Sequence, residues 1–331
     1  EKIEIKYILS RHEHIQGVPD ELITTDFATI ENDPEVELVV EAIGGIHPAY
    51  EYIKSCLEKG KHVVSSNKAV VDACGSKLVR TAKEHDRNFY FEASVGGGIP
   101  VIRTLYHNYA GENVTEITGI LNGTSNFILS KMKDEGSTFA ETLKEAQRLG
   151  YAERNPEADI EGHDTCRKIA ILSSLVTGKE VNFEDVYTEG ISKIDSTDFR
   201  YALELKASIK LVGAAQFAGD QVTVSVFPLL VSDENPLYAV QGVYNGIVIK
   251  GNLLGTTMLY GSGAGKLPTA SAVLADMMEA AKHKNENVRF GWTAEKQAVT
   301  SHESEKHRYF VRLSGDAASL AAAKEQFEAE R

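Results

Sequence analysis

The first hundred residues of this 331-residue chain alternate short apolar runs with amphipathic helical patterns, and that rhythm admits few folds. Ile3–Leu9, Glu37–Ile43, His62–Ser65 and Phe89–Ala93 read as strands. Between them, Pro48–Lys59 reads as a helix closed by Gly60, and Asp72–Glu84 as a second. Strands separated by helices of this length join in parallel, so the segment predicts a doubly wound nucleotide-binding sheet with ligands beyond the carboxyl ends of its strands. The sheet is expected to be incomplete. No G-x-G-x-x-G loop, the cradle of a dinucleotide pyrophosphate, lies near the start. That loop and the strand leading into it are expected to precede residue 1.

If Ile3–Leu9 is the second strand of such a sheet, its end is where an acid would hold the adenosine ribose. Ser10, Arg11, His12 and His14 stand there instead. A cation beside a hydroxyl suits a 2′-phosphate, which favours NADP with Arg11 as its partner; Glu13 keeps NAD open, and the stretch also reads as an exposed charged loop. Gly44 and Gly45 follow the next strand and permit close approach of a ligand, while Ser66 and Lys68 follow His62–Ser65 on the same edge. Taken alone, Lys68 reads equally as a solvated loop lysine. The run Glu92–Pro100 contains three consecutive glycines, which either let carbonyl oxygens converge on a hard cation or simply make a tight crossover.

The pattern changes after Ile99. Val114–Leu121 reads as a strand, followed by Asn122-Gly123-Thr124-Ser125 and the helix Asn126–Lys133, whose free amide groups suit a carboxylate. Ser208–Phe217 and Val222–Val231 read as strands around a Gly219-Asp220 turn, with Val243–Lys250 and Thr256–Tyr260 as two more. This predicts an α+β substrate and dimerisation domain with an antiparallel sheet. Gly261–Pro268 fails the P-loop pattern at Tyr260 and Leu267, yet it opens the helix Thr269–His283. Residues 284–306 are polar and nonperiodic and read as a linker; Arg308–Leu313 then reads as a strand and Ala317–Glu330 as a helix.

Chemistry concentrates between Gly150 and Lys168. The helix Phe139–Leu149 leads into a Gly/Pro-broken loop carrying Glu153 and Asp159, two negative charges for a substrate ammonium group. A second helix starts at Gly162-His163-Asp164 and buries Ile169, Leu172, Leu175 and Val176 up to Gly178. Asp164 and Lys168 therefore share a face one turn apart. Exposed, such a pair contributes only about 0.2–0.5 kcal/mol. In the alternative reading, the positive helix start and the adjacent Arg167 favour the neutral form of Lys168, as a proton carrier requires.

The formal charge of −13 and the lack of a Lys/Arg-rich run argue against a nucleic-acid partner. No apolar run approaches the roughly 20 residues of a membrane-spanning helix, and the first residues lack the apolar core of a signal peptide, so a cytoplasmic, non-membrane protein is expected. Cys56, Cys74 and Cys166 fall in three separate helices without CxxC spacing, which indicates neither a disulfide framework nor a zinc site.

Tyr151-Ala152-Glu153, Pro156, Asp159, Gly162, Asp164 and Arg167-Lys168 resemble, in order and spacing, the signature of the homoserine dehydrogenases. Ser66-Asn67-Lys68, Glu92–Pro100, Gly119–Thr124 and Gly263-Ala264-Gly265 resemble further landmarks of that family, over most of the chain. The resemblance implies reversible NAD(P)H-dependent reduction of L-aspartate 4-semialdehyde to L-homoserine, in threonine, methionine and isoleucine biosynthesis. Lys168 would be the acid and Lys68 would assist at the junction of nicotinamide and substrate. Glu153, Asp159 and Asp164 would surround the substrate ammonium, and Asn122, Gly123 and Thr124 its carboxylate. Residue reading and resemblance together assign Arg11, Gly44, Gly45, Ser66, Lys68, Gly150 and Gly265 to the cofactor. The resemblance alone implies a structural monovalent cation, usually sodium, on the Glu92 carboxylate and the carbonyls of Val95, Gly97 and Ile99.

The expected domain plan is a Rossmann-like nucleotide domain over 1–100, completed by a helix over 267–283, then a substrate and dimerisation domain over 101–266. A linker over 284–306 and a partial ACT-like regulatory βα segment over 307–331 follow. A homodimer or homotetramer and an amino-acid effector are expected. Two rivals stay open: another two-domain NAD(P)-dependent amino-acid dehydrogenase, and a non-catalytic amino-acid sensor.

Overall fold

Two parallel sheets carry the N-terminal region in a computed structural model that describes residues 3–288, 290–302, 308–313 and 315–326. β1 (Ile8–Leu9) pairs with β2 (Ile23–Thr24). After α1 (Phe27–Glu31), the strands β3 (Leu38–Glu41), β4 (His62–Ser65) and β5 (Phe89–Tyr90) form the second sheet, connected by α2 (Ala49–Glu58) and α3 (Lys68–Glu84). The doubly wound α/β pattern is present but divided. In the doubly wound order a further strand stands between the positions of β1 and β3, and among the described residues none occupies it. The expected strand Ile3–Leu9 shrinks to Ile8–Leu9 because β2 offers only a two-residue partner, leaving Ile3 and Ile5 exposed. The expected Phe89–Ala93 strand ends at Tyr90, since Glu92–Ser94 forms a 3-10 turn.

Two helices start earlier than their apolar spacing predicts, for one reason. Asn67 Oδ1 accepts from the Val70 amide at 3.3 Å and caps α3, so Lys68 opens a helix instead of lying on a loop. Asn122 does the same for α5 (Gly123–Glu135), accepting from the Ser125 amide at 2.8 Å. The short α4 (Val101–Arg103) lies between them and continues into a π turn over Thr104–Asn108.

β6 (Val114–Ile120) enters a third sheet, of six strands. After α6 (Phe139–Arg148), α7 (Glu157–Ile160) and α8 (His163–Thr177), the chain forms β7 (Tyr187–Thr188), α9 (Ser196–Glu204), β8 (Ala207–Ala218), β9 (Gln221–Ser232), β10 (Tyr244–Gly251) and β11 (Gly255–Ser262). The six strands order as β11-β10-β6-β8-β9-β7. All neighbours are antiparallel except β7 and β9, so the sheet expected to be antiparallel is mixed. Ile117, Leu211, Ala215, Ile247 and Ile249 share the principal core with Ile169 and Leu172 of α8, while Ile120, Val212, Val231 and Val248 form a second cluster with Leu237 and Val240. α10 (Lys266–Lys282) then returns to the parallel sheet, where Ala280 packs with Val64 and Tyr90.

Residues 284–302 do not behave as the expected linker. Trp292 is buried against Gly75 of α3, where an added Cβ would lie 2.4 Å from the indole. The Thr293 amide donates to the Gly178 carbonyl at 2.8 Å, and Val299 forms a bridge with Val222 of β9. Averaged polarity hides these three anchors within the stretch; residues 303–307 lie outside the described residues. The strand expected over 308–313 is not formed, as no neighbouring strand pairs with it among the described residues. Phe310 instead packs on Tyr201, with ring centroids 5.9 Å apart, and Arg312 pairs with Asp198 at 3.1 Å. The last helix is α11 (Ala317–Gln326), and its expected continuation lies outside the described residues. Among the described residues no helix is long and apolar enough to cross a membrane.

Candidate active site

Asp164 joins the two halves of the molecule. It lies in the first turn of α8 with its side chain 3% exposed, and Lys168, one turn on, donates to its Oδ2 at 2.7 Å. Lys168 Nζ also donates to the Leu121 carbonyl at 2.8 Å, at the end of β6. The other carboxylate oxygen accepts from Lys68, at the start of α3. Burial alone would raise the Asp164 carboxyl, but the charges of Lys168 and Lys68 hold it well below the usual carboxylate range. This is a buried, committed arrangement and not the exposed helix pair the spacing also allowed.

Asn122 ties the second acid to the first. Its Nδ2 donates to Asp159 Oδ1 at 2.7 Å and to Asp164 Oδ2 at 2.9 Å, while its Oδ1 caps α5. Burial raises the Asp159 carboxyl, a shift opposed by the Asn122 hydrogen bond and reinforced by the charge of Asp164. Thr124 donates to the Tyr151 carbonyl at 2.6 Å, and Gly123 lies at the first position of α5. Asn122, Asp159, Asp164, Lys68 and Lys168 thus form one connected group. Glu153 is exposed on the preceding loop, its carbonyl accepting from Gln147 at 3.1 Å, and is not brought into that group.

Arg167 does not stand against Lys168 as the sequence suggested. Adjacent helical residues project in different directions. Its guanidinium donates to Asp72 Oδ2 of α3 at 2.7 Å and lies 4.3 Å from the Phe183 ring centroid.

Gly44 (φ +83°) and Gly45 (φ +73°) are exposed beyond β3, with open space where a side chain would project. Ser66 and Lys68 follow β4 on the same edge, which is where a doubly wound sheet takes its ligand. Open glycine turns at this edge fit a dinucleotide. Arg11 is exposed after β1. Gly265 (φ +112°) precedes α10, and its loop packs tightly on the glycine turn, since a Cβ on Gly97 would lie 2.5 Å from the Gly263 carbonyl oxygen. Gly150 lies at the exposed end of α6.

Glu92 is buried, its two oxygens each accepting a backbone amide, from Ile102 and from Arg103, both at 2.8 Å. Burial pushes its carboxyl up to about 7. The resemblance groups it with the carbonyls of Val95, Gly97 and Ile99, all oxygen donors of the kind a hard cation takes. The Ile99 carbonyl also accepts from Val101 at 2.8 Å.

Sequence reading missed Glu41 and the two asparagine caps. An isolated acid closing an apolar strand run was the available signal for Glu41, and an Asn directly before a helical pattern was the signal for Asn67 and Asn122.

Residues 1–92 match the family model described as the NAD-binding domain of homoserine dehydrogenase, and residues 100–278 match the model described as homoserine dehydrogenase. A curated homoserine dehydrogenase of Bacillus subtilis is 44% identical over 276 residues, covering 83% of this chain and 63% of the relative. The chain therefore spans just under two thirds of the length of that relative. A crystal structure of a homoserine dehydrogenase from Thiobacillus denitrificans superimposes with a TM-score of 0.79 at 40% identity, over 84% of this chain and 66% of the other. A hyperthermophilic archaeal homoserine dehydrogenase in complex with NADPH matches with a TM-score of 0.65 at 31% identity, over 78% of this chain and 75% of the other.

Proposed function

The chain belongs to the homoserine dehydrogenase family, and from that premise we propose that it interconverts L-aspartate 4-semialdehyde and L-homoserine with NAD(P)H. The observation that carries this reading is the convergence of Lys68 of α3 and Lys168 of α8 on the one buried carboxylate of Asp164. The hydride comes from the reduced nicotinamide when the cofactor is bound. Lys168 then gives a proton to the carbonyl oxygen of the aldehyde, with Lys68 assisting, so that no free alkoxide develops. Asp164 keeps both ammonium groups at the reaction centre. Asp159, Asp164 and, from the loop before α7, Glu153 supply the negative charge that receives the substrate ammonium. The amide groups at the start of α5, over Asn122, Gly123 and Thr124, face its carboxylate.

Gly44, Gly45, Ser66, Gly150 and Gly265 contact the cofactor in this reading, and Arg11 favours NADP. The NADPH in the archaeal neighbour supports that preference. In the same reading Glu92, Val95, Gly97 and Ile99 hold a structural monovalent cation, sodium in this proposal. The nucleotide domain covers 1–100 with the helix over 267–283, the substrate and dimerisation domain 101–266, and an ACT-like segment 307–331 answers to an amino-acid effector. A cytoplasmic homodimer or homotetramer completes the proposal.

The test is a substrate panel followed by nicotinamide absorbance: L-homoserine oxidised with NADP+ at rates far above those of L-serine, L-threonine and other amino alcohols supports the reading. Equal or greater turnover of a different amino alcohol would reject it.

A further inference from the structure

Glu41 closes β3 and stands in register with Ser65, which closes β4. Glu41 is 4% exposed, and its carboxylate gathers donors from three segments. Oε1 accepts from the Ile43 amide at 2.7 Å, from the Gly44 amide at 3.4 Å and from Asn67 Nδ2 at 3.3 Å; Oε2 accepts from Ser65 Oγ at 2.6 Å. Ser65 Oγ in turn accepts from the Asn67 amide at 3.1 Å, and Asn67 Nδ2 also donates to the Gly45 carbonyl at 2.7 Å. One side chain therefore ties the glycine turn after β3 to the residue that caps α3.

All four groups are neutral donors, and the two carboxylate oxygens accept from all of them at once. A buried acid satisfied this fully makes the turn and the helix start one rigid unit. Lys68 is the first residue of that helix, directly after Asn67. Resting on the functional reading above, we propose that Glu41 is a positioning residue: through Asn67 it fixes Lys68 against Asp164, and through Ile43 and Gly44 it shapes the turn that receives the dinucleotide. It touches no reacting atom. Its effect on kcat at saturating cofactor therefore passes through Lys68 and its effect on NADPH binding through the turn, whereas a merely structural acid would lower kcat independently of that lysine.

The experiment compares the full parent chain with Glu41→Ala, Glu41→Gln, Lys68→Ala and the two double variants, each confirmed as folded by circular dichroism. Steady-state oxidation of L-homoserine is measured alongside NADPH binding by fluorescence. Glu41→Ala is expected to lower kcat about 10–100-fold, the scale of an ångström-sized misplacement, and to weaken NADPH binding. Glu41→Gln keeps one acceptor oxygen and should fall between it and the parent. Each loss in kcat should shrink to within about twofold when Lys68 is already alanine, because residues acting through one another are not additive. If Glu41→Ala does not fold, Glu41→Gln carries the same comparison. A folded Glu41 variant with parental kcat overturns the inference, and so does a loss undiminished in the Lys68→Ala background. A parent that binds NADPH but turns over no homoserine removes the functional reading and this inference with it, an outcome distinct from an active parent indifferent to Glu41.

Discussion

Arg167 of α8 donates to Asp72 of α3 across 2.7 Å, and the carboxylate it reaches is 3% exposed. Asp72 lies one turn beyond Lys68 on α3, and Arg167 directly precedes Lys168 on α8. The pair fastens together the two helices that carry the two lysines.

Replacing Arg167 with methionine should leave a buried carboxylate without its charged donor, costing about 1–3 kcal/mol in denaturant unfolding. An unchanged midpoint and slope would show that the pair contributes nothing net.

Burial pushes the Asp72 carboxyl up to about 6, with Arg167 opposing the shift. A carboxyl whose folded pKa exceeds its unfolded value of about 3.9 holds its proton more tightly when folded. Its contribution to stability is then fully present below about 3.9 and is lost as pH rises through about 6. Asp72→Asn does not titrate, so its stability relative to the parent should improve between pH 4 and 6; a pH-independent difference across that window refutes the shift.

Lys168→Ala should lower kcat on the order of 10²–10⁴-fold, the range of general acid catalysis, with a much smaller change in KM. Asp164 keeps Lys68 as a partner in this variant. Turnover within about threefold of the parent in a folded variant, far below that range, would remove Lys168 from the mechanism.

Arg11→Ala should raise KM for NADP+ more than for NAD+, because only the former carries a 2′-phosphate. Equal changes with both cofactors reject Arg11 as its partner.

Gly75→Ala places a methyl group where the ring of Trp292 now lies, 2.4 Å from its nearest atoms. Overpacking of this kind costs about 1–3 kcal/mol, partly offset by the better helix propensity of alanine, about 1 kcal/mol. Trp292 is the chain's one tryptophan, so its emission reports the displacement. A red shift is expected, and an unshifted spectrum would mean the strap stays seated.

Apolar periodicity made β4, α2, α6, α8 and the β8–β9 hairpin legible before any coordinates, because each buries a face whose spacing its own residues declare. The Asp164–Lys168 pair was legible for the same reason: a spacing of four on a helix is a contact written in the chain. Lys68 was named from resemblance to a family motif, but nothing in its local sequence indicated that it meets Asp164, 96 residues away. Contacts between layers leave no local period.

The sequence by itself determined the longer strands of the sheets, though not the two-residue β2 and β7, where the glycine turns fall at their edge, and which helix carries Lys168. Only the tertiary structure decided what the charged side chains face. It turned Arg167 to Asp72, set Glu41 beneath two loops, drew Asn122 onto two acids, and seated Trp292 in a stretch whose composition reads as a linker. Hydrophobic burial is nearly additive along a chain and shows in its local pattern. The partner of a buried charge is selected by whichever residues the packed layers bring within hydrogen-bonding distance, and that depends on the whole fold at once.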